Sequence, residues 1–444
     1  MPTRLLVTGA GSGPGNNLIR SLKTGAPSFF VAGCHSDRFV LKKSAADRSF
    51  LVHPVTHRAF RKDLGRVADR VRADLVIPST DAEVWALSRA RSTLRHRVFL
   101  PARSVIALCQ DKYQLSRFLR SRGVASPLTY AVPSLASVPG IFRRLNATPL
   151  WCRVRAGSGS VAAIPVRTPR QAQAWMAYWA TMRGVPVRSF TLSEYLPGRD
   201  FGCQSLWARG RPVLTKAFER LSYIAAGGHP SGVSSVAALA RTAADPRVRE
   251  MTTSAVRALG RDISGLFSVD LKEDSGGTVC VTEINVGRFL AGTNLLDLSG
   301  KHNMAVTYVQ LALGRAVGSL EEPGQASDHY MVRDVDTLPG VFRAEEFFAG
   351  IEDARIEQAS ADAEDSQPFT WRKTSMPFAS TPPIPAYGSR RAVIRLMGPK
   401  NTPQIKQFNQ ELMKLLDKYG SPFTKRPKSR AKGRRAKPRA KRKR

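Results

Sequence analysis

The stretch from Gly265 to Arg288, GLFSVDLKEDSGGTVCVTEINVGR, constrains this chain more than any other. Two runs, Leu266 to Lys272 and Val279 to Val286, alternate or cluster apolar residues as strands do, and Asp274-Ser275-Gly276-Gly277 between them is a hairpin turn signal. With Gly276 and Gly277 as the central turn residues, Ser275 pairs with Thr278. Asp270 then falls opposite Glu283, and Ser268 opposite Asn285. Strand side chains repeat every two residues, so Asp270, Glu283 and Asn285 share one face. Two carboxylates and an amide oxygen on a rigid face make a hard-oxygen site suited to magnesium, with substrate phosphates completing the shell. The alternative is a half-exposed hairpin whose acids face solvent.

The rest of the chain sets this hairpin late in an α/β protein. Arg4 to Thr8 is a short apolar run entering Gly9-Ala-Gly-Ser-Gly-Pro-Gly15, and a helix follows through Leu18, Ile19 and Leu22. Strand, glycine turn and helix form the opening unit of a doubly wound sheet, whose helix N-terminus can receive an anion. A second strand, Phe29 to Ala32, ends near Asp37, where a ribose-binding acid would sit in a dinucleotide fold. Leu75 to Pro78 is a further strand, Asp81-Ala82-Glu83 starts a helix, and Val98 to Pro101 is expected to close a compact first domain.

The loop also fits the TGxxxGxG form of short-chain dehydrogenases through Thr8, Gly9, Gly13 and Gly15. Those enzymes need a tyrosine with a lysine four residues later, the lysine lowering the phenol pKa, and no tyrosine of this chain has one. An NAD(P)-binding protein is therefore the lesser alternative.

Gln110-Asp111-Lys112 opens an amphipathic helix carrying Leu115, Phe118 and Leu119, stopped at Gly123. A strand, Leu150 to Val154, leads into Arg155-Ala-Gly-Ser-Gly-Ser160, small enough to approach phosphate oxygens or to form a tight hairpin. Ser193 to Leu196 ends a strand before the Pro197-Gly198 turn. Arg199-Asp200-Phe201 begins the next strand, and Pro212 to Phe218 carries Lys216. Asp245 to Gly260 and Met304 to Leu313 are helices, and Ser222 to Gly232 is expected as an ordered loop over a site. Ser360 to Gln367 and Ser380 to Tyr387 read as linker, and Thr402 to Tyr419 as a last amphipathic helix.

Charge bears on partners. The chain of 444 residues has a net charge of +35, and thirteen lysines and arginines without an acid lie between Ser421 and Arg444. That tail cannot bury a core and suits non-specific contact with a polyanion or nucleic acid. Five cysteines, Cys34, Cys109, Cys152, Cys203 and Cys280, fit neither a zinc site nor a disulfide framework, so buried thiols are expected. No apolar run reaches membrane-spanning length and the start lacks a secretory apolar region, so a cytoplasmic location is expected.

Taken in order, these features resemble the ATP-grasp superfamily, in particular carboxylate–amine ligases and the synthetase halves of carbamoyl phosphate synthase, over roughly residues 4 to 340. Asp111-Lys112 looks like the pair that starts the family's nucleotide domain, and Leu150 to Ser160 like its phosphate strand and glycine loop. Glu194-Tyr195-Leu196-Pro197-Gly198 is similar to the adenine segment, with Asp200 at a ribose position. Asp270, Glu283 and Asn285 match the magnesium ligands in order and spacing. Arg153 stands where lysine is usual, keeping the charge and adding a planar fork, while Val286-Gly287-Arg288 departs from the commoner Asn-x-Arg spacing.

The resemblance implies α/β and α+β architecture: a doubly wound pre-ATP-grasp domain (1–110), a two-subdomain ATP-grasp domain (111–340), a C-terminal extension (341–420) and a basic tail (421–444). It implies an ADP-forming ligase using ATP and magnesium or manganese, which joins a small-molecule carboxylate to an amine. Lys112, Arg153 and Lys216 would contact phosphates under a lid at Gly157 and Gly159, and Glu194, Leu196 and Asp200 would hold the nucleoside. Arg288 would orient the carboxylate, with Lys216 as a second catalytic residue. The competing reading is a nucleic-acid-binding protein with a degenerate ATP-grasp body.

Overall fold

β1 (Arg4–Thr8) is buried from Leu5 onward because it is the inner strand of a parallel sheet. It leads through the glycine loop into α1 (Gly13–Gly25), whose first turn is capped by the Ser12 hydroxyl. The winding continues through β2 (Phe30–His35), α2 (Arg38–Leu41), β3 (Arg48–Leu51), α3 (Phe60–Val71), β4 (Leu75–Ile77) and α4 (Asp81–Ala90), with strand order β3-β2-β1-β4. Thr80 and Glu83 form a reciprocal capping box at the start of α4. The structure, a computed structural model, describes residues 2–355 except 158, 225, 227–230, 233–235, 299–300, 319, 321–328 and 333–349.

Val98 to Pro101 forms no strand. Only Arg97 bridges to Leu75, because Pro101 has no N–H and the Leu100 and Pro101 carbonyls accept from Arg91 Nη2 at 2.6 and 2.7 Å instead. The chain turns into α5 (Arg103–Gln110) and α6 (Lys112–Ser121). Asp111 between them is extended, and its carboxylate accepts from the Tyr113 and Gln114 N–H groups to start α6.

Two antiparallel sheets follow. The first comprises β5 (Thr129–Ala131), β6 (Leu150–Val154), β7 (Ile164–Val166) and β8 (Phe190–Glu194) in the order β5-β8-β6-β7. Its core is shared with α7 (Val138–Leu145) and α8 (Pro169–Arg183) through Val138, Ile141, Met176, Phe190 and Leu192. The second is built from β9 (Asp200–Ala208), β10 (Arg211–Tyr223), β11 (Ala237–Thr242), β12 (Gly265–Glu273) and β13 (Val279–Val286). α9 (Pro246–Ala258) packs Val248, Ala255 and Val256 with the odd-numbered Phe201, Cys203 and Val269. The even-numbered Leu206, Leu214 and Leu266 pack with the first domain and with α11 (Met304–Ala312), which α10 (Thr293–Leu298) precedes. This alternation leaves the remaining even positions of β9, β10 and β12 for a site.

β14 (Tyr330–Val332) completes the second sheet in the order β13-β12-β9-β10-β11-β14. β15 (Ile351–Asp353), which falls in the expected C-terminal extension, instead lies parallel beside β3 in the first sheet, where Glu352 pairs with Arg48 and Arg70. The five cysteines are free and buried. No helix among the described residues is long and apolar enough to cross a membrane. The expected helix at Thr402 to Tyr419, the linkers at 360–367 and 380–387, and the basic tail lie outside the described residues.

Candidate active site

Asp270 pairs with Glu283 and Ser268 with Asn285, the register expected from the sequence, but the hairpin reaches it by another route. Asp274 N donates to the Thr278 carbonyl at 3.0 Å, so the loop holds three residues, Ser275 to Gly277, instead of two. The Asp274 carboxylate accepts from Gly276 N and Thr278 N at 2.8 and 2.9 Å, and Gly277 takes φ +80°, which only glycine adopts freely. That loop sets Glu273 opposite Val279 and Leu271 opposite Val281, one residue out of step. A bulge at Thr282 restores the phase before Asp270. It also turns the Thr282 carbonyl toward Arg153, whose Nη2 donates to it at 2.8 Å.

A cavity of about 340 Å³ lies over this face. In its lining Glu283 is ion-paired with two cations, Lys112 Nζ at 3.3 Å and Arg153 Nη1 at 3.6 Å. Burial pushes the Glu283 carboxyl up, and Lys112, Arg153 and Arg288 more than offset this, leaving it below the ordinary range. Lys112 Nζ also donates to the Gly157 carbonyl at 2.6 Å and so touches the glycine loop. Gly157 and Gly159 have φ of +106° and +80° with open space around them, so the requirement for glycine there is conformational.

Asp270 accepts from Arg220 Nη2 at one oxygen and from Asn285 Nδ2, at 2.8 Å, at the other. Burial raises its pKa; Arg220 opposes the rise and Glu283 adds to it, leaving a net increase. Arg220 Nη1 donates to Asp200 Oδ1 at 2.5 Å, and the Tyr223 hydroxyl donates to the other Asp200 oxygen. At the far end, Arg288 donates to Asn285 Oδ1 and to both carboxylate oxygens of Asp81. A continuous hydrogen-bonded line thus runs from Tyr223 through Asp200, Arg220, Asp270, Asn285 and Arg288 to Asp81 on α4.

Glu194, Leu196 and Asp200 line the same cavity, with Trp151 and Tyr195 in ring contact at 6.1 Å. Glu194 also binds its own framework, its Oε2 accepting from Leu128 N at 2.7 Å. Lys216 is not brought to the cavity. It shares the face of β10 that bears Arg220, but four residues earlier, about 13 Å along the strand. There α10 covers it: Nζ donates to the Leu296 carbonyl at 2.7 Å and to that of His302, and lies 4.0 Å from Asp297. The phosphate contact and catalytic part expected of Lys216 do not fit this position.

Sequence reasoning missed Arg220 and Asp81. A two-residue step along β10 from Lys216 through Phe218 would have found the first, while Asp81 was legible only as a helix-start acid. The glycine loop of the first domain is filled by protein. A Cβ on Gly9 would lie 2.0 Å from Ser79 Oγ, and one on Gly11 1.9 Å from the Val40 carbonyl. Asp37 is the cap of α2, accepting from Phe39 N and Val40 N. The dinucleotide features of the sequence thus serve close packing and capping.

Among the described residues no group of three His, Cys, Asp or Glu side chains is placed to hold a metal. The set on the hairpin is two carboxylates and an amide, and it fits magnesium. Each Asp270 oxygen accepts a single described hydrogen bond, so lone pairs remain, and all the donor atoms are hard oxygens.

With its doubly wound first domain, two antiparallel sheets and a cleft over the β12–β13 hairpin, the chain has the ATP-grasp fold of the solved structures that it matches. The biotin carboxylase domain of Hydrogenobacter thermophilus 2-oxoglutarate carboxylase, solved with MgADP, ADP and bicarbonate, is similar over 72% of this chain and 71% of that one, with 14% identity and a TM-score of 0.57. Biotin carboxylase from Campylobacter jejuni is similar over 73% of each chain, with 13% identity and a TM-score of 0.56. L-amino acid ligase from Bacillus licheniformis is similar over 70% of this chain and 74% of that one, with 16% identity and a TM-score of 0.54. No family model and no curated protein sequence matches the chain.

Proposed function

We propose that the protein is an ATP- and magnesium-dependent ligase that activates a carboxylate as an acyl phosphate for attack by an amine. The observation that carries this reading is the gathering, in the lining of one cleft, of the Asp270–Glu283–Asn285 oxygen face and the Lys112–Arg153 cation pair in contact with it. The similarity to a biotin carboxylase domain solved with MgADP, and to an L-amino acid ligase, supports it.

Trp151, Tyr195 and Leu196 provide an apolar seat for the base, and Asp200 lies beside it for the sugar hydroxyls. Lys112 and Arg153 hold phosphate oxygens, and the Arg153 guanidinium is kept in place by the Thr282 carbonyl. Magnesium, when held by Asp270, Glu283 and Asn285, supplies positive charge to the terminal phosphates. Arg288, fixed along one edge by Asp81, presents its remaining N–H groups to the substrate carboxylate. A carboxylate oxygen attacks the γ-phosphorus, the bond to the β–γ bridging oxygen breaks, and ADP leaves. The amine nitrogen then attacks the acyl carbon, phosphate departs with the bonding pair, and the nitrogen loses a proton. The Gly157–Gly159 loop, joined to Lys112, is suited to excluding water from the acyl phosphate.

The test is an ADP-release screen with magnesium across pooled carboxylates and amines, alongside thermal unfolding. ATP with magnesium should raise Tm, and NAD or NADP should not. A dinucleotide shift with none from ATP would overturn the proposal.

A further inference from the structure

Three acids that line the cleft, Asp200, Asp270 and Glu283, are each already in contact with an arginine or lysine. The pairing at Asp270 is the most heavily built. Arg220 stands on β10, β9 lies between β10 and β12, and the guanidinium must cross β9 to reach Asp270. It crosses at Gly202, the β9 partner of Asp270. A Cβ at Gly202 would lie 3.0 Å from Arg220 Nη2 and 2.6 Å from the Phe218 ring. The planar head then spans two carboxylates, Nη1 on Asp200 and on the Phe201 carbonyl at 3.0 Å, Nη2 on Asp270. Its side chain is only 8% exposed. A lysine could not make this bridge with the same fixed fork.

We propose that Arg220 is the resident counter-ion of the oxygen face, and that it makes the cleft select a divalent ion arriving with its nucleotide over the free ion. The inference rests on the nucleotide and magnesium reading above and adds an order of assembly to it. A free dication approaching Asp270 meets a positive charge held at contact distance on the same carboxylate, and like charges at that range in a partly buried site repel strongly. A nucleotide phosphate chain carries enough negative charge to offset both the ion and Arg220. Asp200 shares the same guanidinium, so the sugar end of the cleft and the metal face are coupled through one side chain.

The experiment uses the full chain and Mn2+ as probe, titrated by electron paramagnetic resonance with and without ATP, in the absence of other substrates. The parent should bind Mn2+ alone at least about thirty-fold more weakly than with ATP, and Arg220→Gln should bind Mn2+ alone at least about tenfold more tightly than the parent. Arg220→Lys keeps the charge and should stay within about threefold of the parent, which a purely structural part for Arg220 would not produce. Adding Glu283→Ala to Arg220→Gln should abolish the gained Mn2+ binding. Unchanged or weaker binding of Mn2+ alone by Arg220→Gln, with Mn·ATP still bound, overturns this inference and leaves the ligase reading standing. Absence of both Mn2+ and Mn·ATP binding in the parent overturns both. If Arg220→Gln does not fold, the parent decides, because equal affinity with and without ATP overturns the inference.

Discussion

Lys216 and Arg220 stand on the same face of β10, and only Arg220 reaches the cleft. Periodicity put both on one face, but which part of that face α10 would cover was set by the long-range packing of α10 on β10 and α1, which no spacing rule carries. The distinction has a measurable consequence. Lys216→Ala removes the donor to the Leu296 carbonyl, which is buried, and to that of His302, and should cost about 1–3 kcal/mol of stability, with ATP affinity changed by less than about threefold. Thermal unfolding and a nucleotide titration separate the two effects, and a large loss of ATP affinity would return Lys216 to the phosphate site. Glu283→Ala should do the reverse. Its side chain faces the cleft, so Tm should hold while magnesium-dependent ATP turnover falls at least about a hundredfold. Activity within a few-fold of the parent would remove the oxygen face from the mechanism.

At the scale of elements, the hairpin was the most legible part of the chain, and its legibility was partly fortunate. The pairing of Asp270 with Glu283 was read from a two-residue turn, whereas the three-residue loop and the Thr282 bulge each shift the register by one and cancel. A bulge leaves no clear mark in the sequence, since Thr282 suits a regular strand equally well. Opening strands, glycine stops and helix caps were readable because their causes are local, as with Asp111 and Asp245. The β15 strand was not, because parallel pairing with β3 joins residues some 300 positions apart by about three hydrogen-bonded positions.

Asp245 belongs to a second element-level feature. It caps α9, and with Glu273 at the end of β12 it is bound by Arg199 and Arg247. Hydrogen bonds from Arg247 to Asp245 and from Arg199 to Glu273, set against burial, hold both carboxyls below their usual range. Groups depressed on folding add stability above their unfolded pKa values, near 4, and that stability is lost as pH falls through the folded values. Denaturant unfolding should therefore weaken steeply below about pH 4. Glu273→Gln should be less stable than the parent at pH 7 and should converge on it in acid. A constant difference between the two across that range would show that the depressed carboxyl is not the cause.

At the scale of the whole molecule, charge divides the chain more sharply than composition does. Of the net +35, thirteen charges fall between Ser421 and Arg444, which leaves +22 on the preceding 420 residues. Each element that supplies a residue to the cleft lies between Pro14 and Ala291. The basic segment is thus separate in sequence from the proposed chemistry, and its charge is the kind that associates with a polyanion by releasing condensed counterions. On duplex DNA each neutralised phosphate contributes about 0.9 to the slope of log affinity against log salt. Ending the chain before Ser421 should weaken DNA and RNA binding and flatten that slope by several units, to a residue set by the charge on the body, on the order of the few contacts it still makes. ATP turnover with the right small substrates should be unchanged by the cut. Unaltered affinity and salt slope in the shortened protein would place the polyanion contact on the body. Loss of turnover at low salt would instead tie the segment to the cleft, and the division between a catalytic body and a basic end would fail.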